Sequence, residues 1–150
     1  MWVRKGTQYH IPTDDDHETF WAYGVSNSFT GKIHYRIEPT LCGEGFVRFL
    51  KQVRRHYPQA KIVMVVDRAS AHRAKIVQDY LELDSNMRLY DLPSYSPKLN
   101  RIERVWKWLR RRVTHIHLFD SIPEMKEAVR NFFRYINRVP KKVLRCLAVA

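Results

Sequence analysis

The spacing of apolar and polar positions changes several times along this chain, and each change predicts an element. Phe20 to Val25 is a run of strand-forming side chains; Ile33, Tyr35 and Ile37 then alternate with His34, Arg36 and Glu38 at the two-residue period of a half-buried strand. Asn27, Ser28, Thr30 and Gly31 between them are turn residues, so the two strands are expected to form a hairpin. From Glu44 to Tyr57 the period becomes helical, with Phe46, Val47, Leu50 and Val53 on one face and Pro58 ending the run. Ile62 to Val66 is short, apolar and rich in β-branched residues, which predicts a central strand buried on both faces and stopping at Asp67. Ile76, Val77, Tyr80 and Leu81 mark a second amphipathic helix, and Met87 to Leu92 a further strand ended by Pro93. Such a strand-helix-strand unit predicts a parallel pair with a right-handed crossover.

Beyond Pro93 a helix is expected from about Asn100 to Val113, with Ile102, Val105, Trp106, Leu109 and Val113 on one face. A last helix from about Pro123 to Tyr135 is signalled by Ser121 as N-cap, by Pro123 and Glu124 in the first turn, and by Met125, Val129, Phe132 and Phe133 behind them. Hairpin, helix, strand, helix, strand, helix, helix is the order of a mixed α/β sheet flanked by helices. With no repeat and no Gly/Ser linker, a single domain over residues 1–150 is the expectation.

Charge adds direction to this frame. The 27 Lys and Arg against 15 Asp and Glu give a formal net charge of +12, and the excess is concentrated toward the C-terminus. Residues 1–50 carry 5 basic and 6 acidic side chains, residues 51–100 carry 9 and 5, and residues 101–150 carry 13 and 4. A localised basic surface attracts polyanions, nucleic acid above all, although a merely solvated basic face has the same composition. Two cysteines, Cys42 and Cys146, do not make a disulfide framework, and no run reads as a membrane span or signal peptide. The expected compartment is the cytoplasm, with no membrane partner.

Two acids stand where chemistry is placed in α/β proteins. Asp67 follows the apolar strand directly, at the C-terminal rim where open sheets carry ligands. A helix N-cap or loop aspartate would occupy the same position. Glu103 lies in the first turn of a helix otherwise crowded with Arg101, Arg104, Lys107, Arg110, Arg111 and Arg112. Its bland reading is a glutamate favoured by the helix dipole; its chemical reading is a metal ligand beside a phosphate track. Trp106 falls on the core face, whereas Trp108 points elsewhere, toward a stacked base or a packed partner. His115 and His117 form a His-x-His pair without further ligands at zinc spacing, and no Gly-rich phosphate loop occurs.

Val65-Val66-Asp67-Arg68-Ala69-Ser70-Ala71-His72, followed by Leu92-Pro93-Ser94-Tyr95-Ser96-Pro97-Lys98-Leu99-Asn100-Arg101-Ile102-Glu103, resembles the second-Asp and Glu motifs of mariner-superfamily insertion-sequence transposases, the DDE endonucleases. The 35 residues between Asp67 and Glu103 are similar to that superfamily's spacing. The resemblance extends weakly upstream through Trp2 to Gly6, the strand from Trp21, and Thr30-Gly31-Lys32, and so covers nearly the whole chain. It implies a ribonuclease-H-like fold, a two-metal site for Mg²⁺ or Mn²⁺, and cleavage and rejoining of DNA at transposon ends in a bacterial cytoplasm, on the nucleoid when DNA is bound. In that chemistry two divalent ions activate the attacking oxygen and stabilise the leaving one, and hard oxygen ligands hold them. Asp67 and Glu103 would be catalytic metal ligands, with His72, Arg68 and Asn100 adjacent to the site. Arg101, Arg104, Lys107, Arg110, Arg111 and Arg112 would track the DNA backbone.

The pattern is also broken in places. The family's first Asp belongs to an opening strand upstream of the matched segment, so the chain is expected to be N-terminally incomplete, to lack the first strand, and to hold an incomplete metal site. Asp14-Asp15-Asp16 with Glu18 is the nearest acidic substitute, and a solvated turn is its plainer reading. Arg68 stands where the family usually has Asn. A homo-oligomer or a complementing N-terminal transposase chain would then supply the missing carboxylate. Two other readings stay open from sequence: a non-catalytic DNA-binding remnant or regulator, and a ribonuclease H or resolvase-like nuclease. No helix-turn-helix pattern for specific end recognition is visible.

Overall fold

The structure, a computed structural model, describes residues 19–93, 100–115 and 118–148. Strands β1 (Trp21–Ser26), β2 (Ile33–Glu38), β3 (Ile62–Val66) and β4 (Met87–Asp91) alternate with helices α1 (Gly43–His56), α2 (Lys75–Leu83), α3 (Ile102–Leu109), α4 (Ile122–Ile136) and α5 (Pro140–Ala148). The mixed α/β class read from the pattern is the one observed. Among the described residues the strands form two two-stranded sheets, β1 with β2 and β3 with β4. The chain divides into two compact units: one runs to Ile37 and resumes at Arg101, the other is Glu38–Asn100.

In the first unit β1 and β2 are joined by residues 27–32, a connection short enough only for antiparallel pairing. Asn27 initiates the turn, its Oδ1 accepting from the amides of Phe29 (2.9 Å) and Thr30 (3.0 Å), and Gly31 completes it at φ +73°, a left-handed conformation that costs glycine little. Ile33 opens β2 fully buried, and Asn137 completes its hydrogen bonding like a neighbouring strand. Asn137 Oδ1 accepts from Ile33 N (2.8 Å) and its Nδ2 donates to Ile33 O (2.9 Å). The core gathers Val105, Trp106 and Leu109 from α3, Met125, Val129, Phe133 and Ile136 from α4, and Val143 and Leu147 from α5. Each such buried side chain contributes about 1.5–3 kcal/mol of transfer free energy. Tyr35 stacks on Phe133 at 4.1 Å, and Trp106 meets the same ring edge-on at 5.7 Å.

α4 begins as its residues predict. Ser121 Oγ accepts from Glu124 N (3.3 Å), and Glu124 Oε2 reaches back to Asp120 N (3.0 Å). Two features of this unit depart from the sequence reading. The long helix expected to Val113 is α-helical only to Leu109; Arg110–Thr114 is a wider π turn, in which His115 N donates to Arg110 O. α5 was not anticipated, although Val143 and Leu147 stand four residues apart on its buried face.

In the second unit α1 starts at Cys42, whose Sγ accepts from Gly45 N (3.4 Å), and buries Phe46, Val47, Phe49, Leu50 and Val53. Arg54 clamps the end of α1 to the end of α2 through a forked pair with Asp84 (2.7 and 2.9 Å), and donates to Tyr57 O and Ala60 O. Glu38 is buried and takes a second forked pair, from Arg48 (3.1 and 2.7 Å); buried His34 joins it in making the polar face of β2 less solvated than its alternation suggests. β3 and β4 are parallel, from Ile62 opposite Met87 to Val66 opposite Asp91. Met64, Val66 and Met87 are buried, but Val63 and Val65 are 65% and 54% exposed. This differs from the expectation of a strand covered on both faces: α1 and α2 pack on each other, and among the described residues Val63 and Val65 on one side of β3 are left exposed.

Candidate functional site

The parallel register carries Asp67 one residue past the end of β3, on the C-terminal rim. The chain then turns through a 3₁₀ segment, Ser70–Arg73, which brings His72 back over the aspartate. His72 Nδ1 lies 3.0 Å from Asp67 Oδ1 and 3.0 Å from the Asp67 carbonyl oxygen. Both are acceptors, so Nδ1 carries the proton and donates to them, which assigns the tautomer from its partners. The ring is held from the other side by Phe46, centroids 4.2 Å apart, and from the backbone by His72 N donating to Ala69 O (3.0 Å). Ala69 N adds a 3.3 Å bond to Oδ1.

The hydrogen bond from His72 holds the Asp67 carboxyl below the usual carboxylate range; partial burial opposes this, while the charge of His72 and the Ala69 amide assist it. The carboxylate is thus kept ionised. It is also reachable, since its side chain is 46% exposed while that of His72 is 14% exposed. Among the described residues both side-chain bonds fall on Oδ1 and none on Oδ2. A half-exposed, ionised carboxylate with one oxygen uncommitted suits a hard divalent cation. Arg68 is exposed beside it. Within the described residues no group of three or more His, Cys, Asp and Glu side chains lies close enough to hold a metal ion.

Glu103 lies in the first turn of α3, where the N-terminal dipole favours its charge, and is half-buried. Trp106, Val105 and Leu109 fix the helix to the core. Part of this basic segment gathers around one groove. Arg104, Lys107 and Trp108 stand at i, i+3 and i+4 on one face of α3, and with Arg111 of the π turn and Cys146 of α5 they line a groove of about 340 Å³. Arg104 also donates to the carbonyls of Cys146 and Leu147 (3.4 Å each), so it caps the end of α5 while lining the groove. Arg110 and Arg112 belong to the same π turn as Arg111, and Arg101 is exposed just before α3.

Asn100 is half-buried at the boundary before α3. Asp14–Asp16 and Glu18, Ser94–Leu99 of the Pro-Ser string, and His117 lie outside the described residues. Sequence reasoning missed Cys146, a half-buried thiol whose pKa burial raises against the opposing charge of Arg104. Only recognition of α5 could have found it. Among the described residues no helix is long and apolar enough to cross a membrane.

Comparison with known proteins gives this geometry a context. A family model described as DDE superfamily endonuclease matches residues 1–126. The uncharacterized 39 kDa protein of insertion element IS630 from Shigella sonnei is 28% identical over 140 residues, 93% of this chain and 41% of that protein. The chain therefore spans less than half the length of that relative. The solved catalytic domain of Mos1 mariner transposase superposes with a TM-score of 0.63 at 18% identity, over 95% of this chain and 79% of its own. A Mos1 mariner paired end complex with Mn gives 0.56 at 18% identity, over 99% of this chain and 49% of that one. The fold is the ribonuclease-H-like fold of such catalytic domains.

Proposed function

The chain belongs to the DDE superfamily endonuclease family, and on that premise we propose that it is the catalytic portion of an insertion-sequence transposase that cleaves and transfers DNA at transposon ends with Mg²⁺ or Mn²⁺. The observation that carries this reading is Asp67: an ionised, half-exposed carboxylate at a strand's C-terminal rim, oriented by His72 through Oδ1. Asp67 and Glu103 are the metal-binding carboxylates. The ions, once bound, supply an activated oxygen nucleophile and charge neutralisation at the leaving oxygen. His72 is a positioning residue that fixes the rotamer of Asp67. Arg101, Lys107, Arg110, Arg111 and Arg112 hold phosphates, and Arg104 combines that task with capping α5. The two units act as one catalytic domain over residues 1–150. The family's remaining carboxylate comes from chain outside the described residues or from a partner, either a second copy or a complementing transposase chain.

Mn²⁺ binding followed by calorimetry tests the assignment. Asp67→Asn is expected to weaken binding at least about tenfold, as loss of a charged first ligand requires, while Cys42→Ser leaves it unchanged. Equal Mn²⁺ affinity in Asp67→Asn and the parent protein would show that Asp67 is not a metal ligand.

A further inference from the structure

We propose that the groove between α3 and α5 is a seat for an unpaired nucleotide of a DNA strand, its base on Trp108 and its flanking phosphates on Lys107 and Arg111. The inference rests on the transposase reading for its choice of DNA, and goes beyond it in naming the form of DNA and the residues. The groove holds three cations, one indole and one thiol, Arg104, Lys107, Arg111, Trp108 and Cys146, around about 340 Å³ of open space. Lys107 and Arg111 are exposed; Arg104 is half-buried and partly spent on the α5 carbonyls, which pins it in place as the groove's inner wall. The orientation of Trp108 is set by near-perpendicular ring contacts with Phe132 (5.6 Å) and Tyr135 (6.4 Å). A ring whose orientation is fixed by its neighbours is a preorganised stacking surface, and an aromatic side chain in a groove lined by cations is the combination that binds single strands. In a fully paired duplex the bases are stacked on each other, and only phosphates would reach such a groove. The carboxylates nearest in sequence, Glu103 before it and Asp120 after it, do not line it.

Cys146 provides the assay. In the full chain carrying Cys42→Ser, a substitution that puts a hydroxyl oxygen in place of the sulfur that caps α1, Cys146 is the remaining thiol. Its alkylation rate is measured with and without oligothymidylate, and with a blunt duplex matched in phosphate number. The expected result is protection of Cys146 by oligothymidylate at concentrations where the duplex protects it little. Trp108→Leu, which keeps an apolar side chain against Phe132 but removes the aromatic face, is expected to weaken the single strand's binding about tenfold, the scale of one base stack. Lys107→Ala with Arg111→Ala is expected to lower the salt slope of single-strand binding by about 1.4, at roughly 0.7 per phosphate contact.

Equal protection by duplex and single strand, with Trp108→Leu binding both as the parent does, would overturn the proposal, as would an unprotected Cys146 under saturating oligothymidylate. Those outcomes leave the transposase reading intact provided Asp67 still governs Mn²⁺ binding. Conversely, protection of Cys146 beside an Asp67→Asn variant of normal Mn²⁺ affinity would uphold the groove and sink the metal assignment.

Discussion

Gly24→Ala sets two effects of opposite sign against each other at the strand that seats α3. Alanine is the better strand residue, by about 0.5–1 kcal/mol, because glycine loses more freedom on folding. A Cβ at position 24, however, would stand 2.6 Å from Cζ2 and 2.8 Å from Cη2 of Trp106. Trp106 is 5% exposed and its ring abuts Phe133, so it has little room to retreat. Overpacking of this kind costs about 1–3 kcal/mol, and the clash is therefore expected to win by about 1–2 kcal/mol. For a chain of this length that lowers the melting temperature by about 2–8 °C. Urea unfolding of four proteins, the parent, Gly24→Ala, Trp106→Phe and the double variant, isolates the contact. Phenylalanine lacks the two crowded atoms, so in the Trp106→Phe background Gly24→Ala is expected to be neutral or stabilising. Because α3 carries Glu103 and Lys107, the single variant is also expected to weaken DNA binding. A parent background in which Gly24→Ala raises stability would refute the packing of Trp106 on β1.

Other consequences are smaller or more local. Asn137→Ala leaves the amide and carbonyl of buried Ile33 unpartnered; a loss of about 2 kcal/mol or more is expected in urea unfolding, and no loss would mean that water or backbone replaces the amide. His72→Ala removes the main cause of the lowered Asp67 pKa, so an NMR titration of the carboxyl carbon is expected to move upward toward ordinary aspartate. A depressed folded pKa contributes stability that is present above the unfolded pKa and lost as pH falls through the folded one. Asp67→Asn is accordingly less stable than the parent near neutral pH, by under about 1 kcal/mol given the exposure of the pair, and the gap closes in acid; a gap that widens in acid would contradict the His72 bond. Ser121→Ala is expected to cost about 1 kcal/mol through loss of the α4 cap, read from thermal unfolding.

The elements were legible wherever one face is wholly apolar and the ends carry caps: α1 from Phe46 to Val53, α4 behind Ser121, and the β3–α2–β4 unit ending at Asp67. The positions of Asp67 and Glu103 were legible for the same reason, since a strand end and a helix start are local features. Less was visible where neighbours decide. Trp106 and Trp108 were separable by period, but the perpendicular ring contacts of Trp108 with Phe132 and Tyr135 were not visible. Six basic residues read alike in sequence; that α3 gives way to a π turn at Arg110, Arg111 and Arg112, and that Arg104 turns to the end of α5, is not written in their spacing. β3 looks buried on both sides because its residues are all apolar, yet composition does not say how many layers cover a strand. Asn137, 104 residues from Ile33, acts through a contact no local pattern encodes.

The central assignment is tested most directly by DNA cleavage in a setting that supplies whatever the chain itself does not. The 140 matched residues of the IS630 39 kDa protein would be exchanged for those of this chain, and nicking of IS630-end DNA measured in Mg²⁺ and in Mn²⁺. The account predicts metal-dependent nicking by the chimera, reduced on the order of 10²- to 10³-fold by Asp67→Asn and by Glu103→Gln, since a catalytic metal is worth several kcal/mol. Nicking that proceeds at the chimera's own rate in the Asp67→Asn variant would contradict it.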